Sequence, residues 1–297
     1  MINTPDFARI RPVSASPDGW FDYTLVATAG GAMAPVCVDR DFQRLEGGEA
    51  WPAWQGARLL LPLHTRDGSE TSVAAPTPPF PLVDRLPDGG WIIVGARAAP
   101  DEANAFIYGP DGRLRTSFHA GDAVEALATS QDGKIWLGYF DEGIYGEDPL
   151  SQHGLVCFDM DGVPIWRHDN SVIDIADCYA LSTSGAAAWA CPYDAFPVLR
   201  ITDGAVRSWD CPTRGAHAIC ANGDHVILAG GYRDEYDRVM LLRLEETEAR
   251  PLAEVRLTGL ERERRRLRGG EGVMSIFQDR MVIELHIKDW LGALNRA

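Results

Sequence analysis

No stretch of about 18 consecutive apolar residues occurs in the sequence, so no segment is expected to cross a membrane as a helix. Cysteine is scarce, six in 297 residues, and none of the six forms a C-x-x-C pair. Cys37, Cys157, Cys178, Cys191, Cys211 and Cys220 lie largely in apolar surroundings such as LVCFDM and HAICAN, where a free thiol behaves as a small hydrophobe. They read as reduced thiols of a cytoplasmic protein, with a Cys191–Cys211 bridge as the alternative in an oxidising compartment. Positive charge is also short: 28 Lys and Arg stand against 43 Asp and Glu, a net charge of −15. Such a chain repels phosphate backbones and anionic lipid, which excludes nucleic acid and membrane surfaces as default partners. The first residues, MINTPDFARIRPV, carry an Asp and two Arg and no apolar stretch, and do not read as a secretory signal. Long apolar stripes of period 3.6 are absent, which argues against a helical fold. H-E-x-x-H, G-x-S-x-G, Walker A and G-x-G-x-x-G are absent too, removing the commonest hydrolase and nucleotide signatures.

What is present is turn chemistry and repetition. Thirty Gly and nineteen Pro are spread along the chain, and the composition is globular, with 45% hydrophobic and 24% charged residues. One pattern recurs: an apolar strand, a tight turn, then a β-rich strand. It is clearest in VEALATSQDGKIWLGYFDEGIYG, from Val124 to Gly146. Further copies begin at Pro81, Ala176, Ala216 and Gly272. That spacing suits propeller blades. Between these copies, FIYGPDGRLRTSF, GLVCFDMDGVPIWRH and PVLRITDGAVRSWD each read strand, Asp-Gly turn, strand. Each unit is therefore four antiparallel strands, which bury both faces only when stacked on neighbours.

The expectation is an all-β, six-bladed propeller of four-stranded antiparallel blades, residues 1–297 as one domain, with five or seven blades as alternatives. The N-terminal segment supplies one blade, and its strands also join the C-terminal blade to close the ring and remove a free edge. Leu260–Arg268, LERERRRLR, has mixed charges at helical spacing and is expected to be a solvated helix or loop, a charged rim insertion over 260–270.

These repeats resemble the broad class of NHL-type, SMP-30/gluconolactonase-type and two-component-regulator propellers. Asp132–Gly146, DGKIWLGYFDEGIYG, is similar to the regulator repeat D-G-x-I-W-x-G-T-x-x-G-L-Y, with Tyr139 in place of Thr. The resemblance implies the fold. Gluconolactonase-type members hold a divalent metal at the channel mouth with Glu, Asn and Asp. Glu271-Gly272 is similar to their first-strand Glu-Gly, with Val273 where they have Pro.

Two sets of residues are candidates for a site. Aligning the copies on their turns brings Glu125, Asp177, His217 and Gly272, preceded by Glu271, to the starts of inner strands. Two or three carboxylates and an imidazole meeting at a channel mouth could take a divalent cation (Ca, Mg, Mn or Zn). Glu125, Asp177 and His217 could equally serve as acid and base in a hydrolase. The second set follows the second strand of each unit: Tyr139 with Asp141 and Glu142, Tyr193 with Asp194, and Tyr232 with Asp234. Tyr offers contact area and carboxylates orient polar groups, as in a docking face for a protein or a small polar, cationic or sugar-like ligand. The leading expectation is a monomeric ligand- or protein-binding module with an acidic, Tyr-bearing rim. The alternative is a metal-dependent hydrolase or lactonase.

Overall fold

The Asp-Gly pairs act as the sequence predicts. Gly112, Gly162 and Gly204 have φ of 75°, 82° and 80°, a backbone region that costs glycine little and other residues more. Each closes an outer hairpin. The structure, a computed structural model, describes residues 4–27, 33–42, 53–64, 70–261, 265–278 and 280–296. Its strands form six four-stranded antiparallel sheets, the blades of a six-bladed β-propeller. The chain separates into two compact units, each containing three blades.

One unit comprises 13–129 and 133–168. Its first blade is β2 (Phe21–Ala27), β3 (Met33–Val38), β4 (Arg58–His64) and β5 (Glu70–Pro76). The second is β6 (Pro81–Arg85), β7 (Trp91–Gly95), β8 (Ala105–Tyr108) and β9 (Leu114–Phe118). The third is β10 (Val124–Thr129), β11 (Ile135–Tyr139), β12 (Leu155–Phe158) and β13 (Pro164–Arg167), with a short helix α1 (Asp141–Ile144) after β11. The first strands of these blades neighbour one another, β6 lying between β2 and β10. Trp54 stacks on Phe42 at 3.9 Å beneath a core that includes Val26, Val36, Leu59, Trp91 and Ile93.

The other unit comprises 1–12, 130–132 and 169–297. One blade is β14 (Asp177–Ser184), β15 (Ala187–Tyr193), β16 (Val198–Thr202) and β17 (Ala205–Trp209). The next is β18 (Ala218–Asn222), β19 (His225–Ala229), β20 (Arg238–Leu244) and β21 (Ala249–Arg256). Alternation along these strands sends successive residues into two different cores. Ile219, Ala221, Val226, Leu228, Met240 and Leu242 pack with Trp189, Val198 and Trp209. Their neighbours Ala218, Cys220, Ile227, Ala229, Val239 and Leu241 pack with Met274, Ile276, Ile283, Leu285 and Trp290. A strand with both faces buried reads as a continuous apolar run, hence AICA and HVILA.

The last blade is β22 (Arg266–Gly270), β23 (Val273–Gln278), β24 (Met281–His286) and, on its outside, β1 (Arg9–Pro12). The terminal helix α2 (Ile287–Leu294) follows β24 and is tied to β1 by the Arg9–Asp289 ion pair at 2.6 Å. The N-terminal contribution to this blade is thus the single strand β1. Two expectations are corrected here. The copy starting at Gly272 supplies the second and third strands of the blade, not the first and second. The innermost strand is β22, which lies against β14 and β18. The segment expected to be a charged helix or loop therefore carries a strand over Arg266–Gly270, while residues 262–264 lie outside the described residues. The reason is steric as well as topological. A Cβ on Gly269 would stand 1.7 Å from the carbonyl oxygen of Ile219, so β22 can approach β18 this closely because its backbone is bare.

The six cysteines are free thiols, and all but Cys211 are buried. Among the described residues no helix is long and apolar enough to cross a membrane.

Replacing Gly269 by Ala forces β22 away from β18. The expected loss is about 2 kcal/mol or more, read as a lower midpoint in urea unfolding. Unchanged stability would show that β22 does not pack in this position.

Candidate functional site

The inner strand β14 opens with Asp177, which pairs with Tyr193 at the end of β15. The ladder is then irregular until Ala180 pairs with Cys191. Residues 177, 179 and 181 of β14 are partly open, while 178, 180 and 182 are buried. Period-2 alternation thus puts Tyr179 on the same open face as Asp177. Antiparallel pairing also means that the loop after a second strand lies beside the start of its first strand.

Tyr179 is the hub of a ring cluster. Its ring centroid is 5.9 Å from Tyr193 and 5.8 Å from His217, both near-parallel, at 20° and 12°. Phe196, almost fully buried, meets Tyr179 edge-on at 5.4 Å and Tyr193 at 5.6 Å. Tyr232 closes another side, edge-on to Tyr179 and to Phe196, and its hydroxyl donates to the Tyr179 hydroxyl at 3.2 Å. These are the offset and edge-on geometries that ring quadrupoles favour. Tyr193 and Tyr232 remain 42% and 44% exposed, so the cluster faces solvent rather than forming a closed core.

His217 precedes β18, and its backbone N–H donates to the Ala229 carbonyl at 2.8 Å. Its ring lies between Tyr179 and Tyr236, the latter at 5.4 Å. The facing residue is Gly230, with φ of 102°, where a Cβ would come within 2.8 Å of the His217 ring. Desolvation and, secondarily, the charge of Arg265 hold the imidazole below its usual pKa, so it is neutral at pH 7. Arg265 is itself buried. It pairs with Asp237 at 2.9 Å, donates to the Tyr236 carbonyl at 2.7 Å and lies over the Tyr236 ring at 4.5 Å. The Tyr232 hydroxyl is pushed well up by desolvation, by its bond to Tyr179 and by the charge of Asp177, and stays protonated. The arrangement presents a neutral imidazole, phenol groups and the Asp177 carboxylate around aromatic surface. It suits binding of a polar ligand with an apolar face.

The structure thus brings together four of the sequence candidates: Asp177, Tyr193, His217 and Tyr232. Asp194 follows on the exposed side, and its carbonyl accepts from Arg214 at 3.4 Å. Asp234 is exposed in the 3-10 turn Arg233–Glu235. In the other unit, Glu125 is an exposed residue at an irregularity of β10. Asp141 and Glu142 form the first turn of α1, and Glu142 is paired with Arg97, which also meets Asp122 at 3.1 Å and lies over Phe140.

Three expectations are corrected. Tyr139 is fully buried, and its hydroxyl donates to the Ala120 carbonyl at 2.6 Å; it is part of the packing and offers no contact surface. Glu271 does not stand at the start of an inner strand. It occupies the two-residue β22–β23 turn with Gly272, at φ of 47° and 72°, values that such a hairpin turn demands. There its carboxylate accepts from Gly185 N at 3.0 Å and its own N–H donates to the Thr183 carbonyl at 3.1 Å. Thr183 and Gly185 lie at the end of β14 opposite Asp177, so the two carboxylates do not meet. Finally, among the described residues no group of three or more His, Cys, Asp or Glu side chains is placed to hold a metal ion. The expected quartet does not fit a divalent cation.

Tyr179, Phe196 and Arg265 were missed. Tyr179 carried a usable signal, lying two residues after Asp177 in a strand. Arg265 carried none, since its segment read as a solvated helix.

No protein-family model matches the sequence, and no curated protein matches it. Solved structures do resemble the fold. A PQQ-bound aldose sugar dehydrogenase from Streptomyces coelicolor superposes with a TM-score of 0.52 at 14% identity, covering 95% of this chain and 99% of that one. A protein assigned as a gluconolactonase gives 0.51 at 13% identity, covering 95% and 93%. A chain of the mitotic checkpoint complex gives 0.50 at 9% identity, covering 96% and 98%. At such identities the likeness shows the β-propeller fold alone, and it is the same for dehydrogenase and gluconolactonase propellers.

His217 provides a pH signature of the cluster. Its folded pKa lies below the ordinary histidine value of about 6.5, so the unfolded chain binds the extra proton first. Its contribution to stability is therefore lost as pH falls below about 6.5 toward the folded pKa. Denaturation midpoints should decline over that interval in the wild type and decline less in His217→Gln. Equal slopes in the two proteins would place His217 in an unperturbed environment.

Proposed function

We propose that this protein is a ligand-binding β-propeller module whose site is the Tyr179 cluster, and that it takes a small, neutral, hydroxyl-rich ligand with one apolar face. The observation that carries this reading is the neutral His217 ring stacked on Tyr179, which also meets the half-exposed Tyr193 and Tyr232. A neutral imidazole offers one donor and one acceptor. The phenol groups of Tyr193 and Tyr232 can do both, and Asp177 and Asp194 accept. Aromatic rings supply the apolar contact. An anion would face the two carboxylates, and a quaternary cation would leave the hydroxyl and imidazole donors unused. The position of Glu271 at the far end of β14 favours this reading over the metal-dependent hydrolase alternative. Contact with a protein through the acidic loops around Asp141, Glu142 and Asp234 would be a separate surface property.

The test uses three probes on the whole protein: methyl glucoside, tetramethylammonium and inorganic phosphate. Saturation-transfer and His217 side-chain NMR would report binding. The glucoside should shift the His217 resonances, and Tyr193→Ala with Tyr232→Ala should weaken it at least about tenfold, the cost of losing one good aromatic anchor. A response to tetramethylammonium or phosphate alone would keep the site and overturn the ligand class. No response from His217 to any probe would overturn the site.

A further inference from the structure

In the unit that contains β10 to β13, His119 follows β9 and is bonded through both ring nitrogens. Nδ1 lies 2.7 Å from the Glu102 carbonyl oxygen, and Nε2 lies 2.5 Å from Asp148 Oδ2. A backbone carbonyl can only accept, so Nδ1 must carry a proton. A carboxylate can only accept as well, so Nε2 must also carry one unless Asp148 is protonated. Asp148 is not. Its other oxygen accepts from the backbone N–H groups of Leu150, at 2.9 Å, and Ser151, at 3.1 Å, and bonds of that kind favour the ionised carboxyl.

We propose that His119 is held as an imidazolium and acts as a pH-released fastener for the segment 145–154, which lies between β11 and β12. Three observations define what it fastens. Asp148 holds the start of the 3-10 turn Ser151–His153 through those two backbone bonds. The Ser151 hydroxyl donates to the Asp122 carbonyl at 2.6 Å, fixing the turn against the β9–β10 connection. The turn also packs where Gly121 and Gly143 leave no room for side chains, their Cβ positions falling within 3.0 Å of Ser151 atoms. Beneath it lies the buried Tyr139. His119 is therefore the ionisable link between this segment and the loop before β8.

The charged groups around the ring all favour the cation. Asp148 and Asp101 both raise its pKa. The Glu102 carbonyl adds to this against the cost of burial, the largest single influence, and the net shift is upward. Tyr139, beside Asp148, is held protonated by its burial and contributes no charge near neutrality. The folded pKa thus exceeds the unfolded value of about 6.5. The fastening is complete below that value and is lost as pH rises through the folded pKa. On deprotonation one of the two bonds has no hydrogen left. The carboxylate or the carbonyl then loses its partner, and the segment opens toward solvent from the Asp148 side.

The experiment is done on the full chain between pH 6 and 9. Long-range 1H–15N correlation spectra report the protonation of both His119 nitrogens directly. Amide exchange of 145–154, corrected for the intrinsic rise of exchange with pH, reports opening. Wild type should show the imidazolium at pH 7, titrating above 6.5. Protection of 145–154 should fall over the same interval by up to about tenfold per pH unit, the limit for one linked proton. His119→Gln should flatten that dependence while leaving protection elsewhere unchanged. A neutral His119 at pH 7 in the wild type would overturn the proposal, and that readout needs no variant to fold. So would corrected protection of 145–154 that does not change while the ring titrates.

Discussion

The strands β18, β19 and β20 are buried on both faces along almost their whole length. Odd and even residues of β18, β19 and β20 serve two separate cores, one shared with β15 to β17 and one with β23 and β24. A four-stranded sheet in that position cannot exist alone, because either face would be left as an exposed apolar patch. The hydrophobic term, roughly proportional to the area taken from water, is thus earned by pairs of blades rather than by single ones. The rest of the structure follows from satisfying this requirement for the last blade as well as the first. β1 supplies its outer strand, and Gly269 lets β22 approach β18 to a separation no side chain would permit.

The same requirement explains which parts of the fold were legible. Where a blade is marked by a hairpin turn between two apolar strands, as at Asp132-Gly133 or Asp203-Gly204, period-2 alternation and turn chemistry locate four strands without ambiguity. The last blade was legible as a blade but not in register. Its inner strand reads RLRGG, with two cations and two glycines and hardly an apolar residue. Nothing local marks it as a strand, since its place is set by backbone contact with β18. Hairpin recognition then seized on the next apolar pair, VMSIFQ and MVIELH, and shifted the frame by one strand. That single slip carried Glu271 to the wrong end of the sheet. A carboxylate that reads as a ligand of a channel mouth is instead an acceptor for a turn amide, which satisfies a backbone donor that would otherwise need water.

The site was legible at its edges and not at its centre. Asp177, Tyr193, His217 and Tyr232 could be found because polar and aromatic residues at equivalent places in successive repeats stand out. Tyr179 is the residue they gather around, and it hides in CYAL, a strand that otherwise reads as core. Tyr139 shows the converse. It occupies the repeat position equivalent to Tyr193, yet its hydroxyl is satisfied by the Ala120 carbonyl and its ring is fully buried. Equivalent positions in a repeat share a backbone environment, not an exposure, because exposure depends on what the following loop covers. After β15 the chain turns away through Phe196 and leaves Tyr193 open. After β11 it folds back through α1 and the Ser151 turn and covers Tyr139.

That difference in loops also separates the two histidines that matter electrostatically. His217 has an arginine and aromatic rings about it, and desolvation by these neighbours works against its charge, with no acceptor on its ring among the described residues to offset the cost. His119 suffers the same kind of burial, but a carboxylate and a carbonyl sit on its two nitrogens and the balance reverses. Both side chains are partly desolvated, so burial alone cannot decide the sign. What decides it is whether the ring's hydrogen-bond partners are acceptors, and that is set by loops of the blades rather than by the repeat itself. A propeller scaffold can therefore keep its strands nearly constant while each rim segment tunes a neighbouring group to a different protonation state. The −15 net charge acts in the background, since a surplus of carboxylates makes an acceptor for an imidazolium easier to supply than a second cation to oppose it.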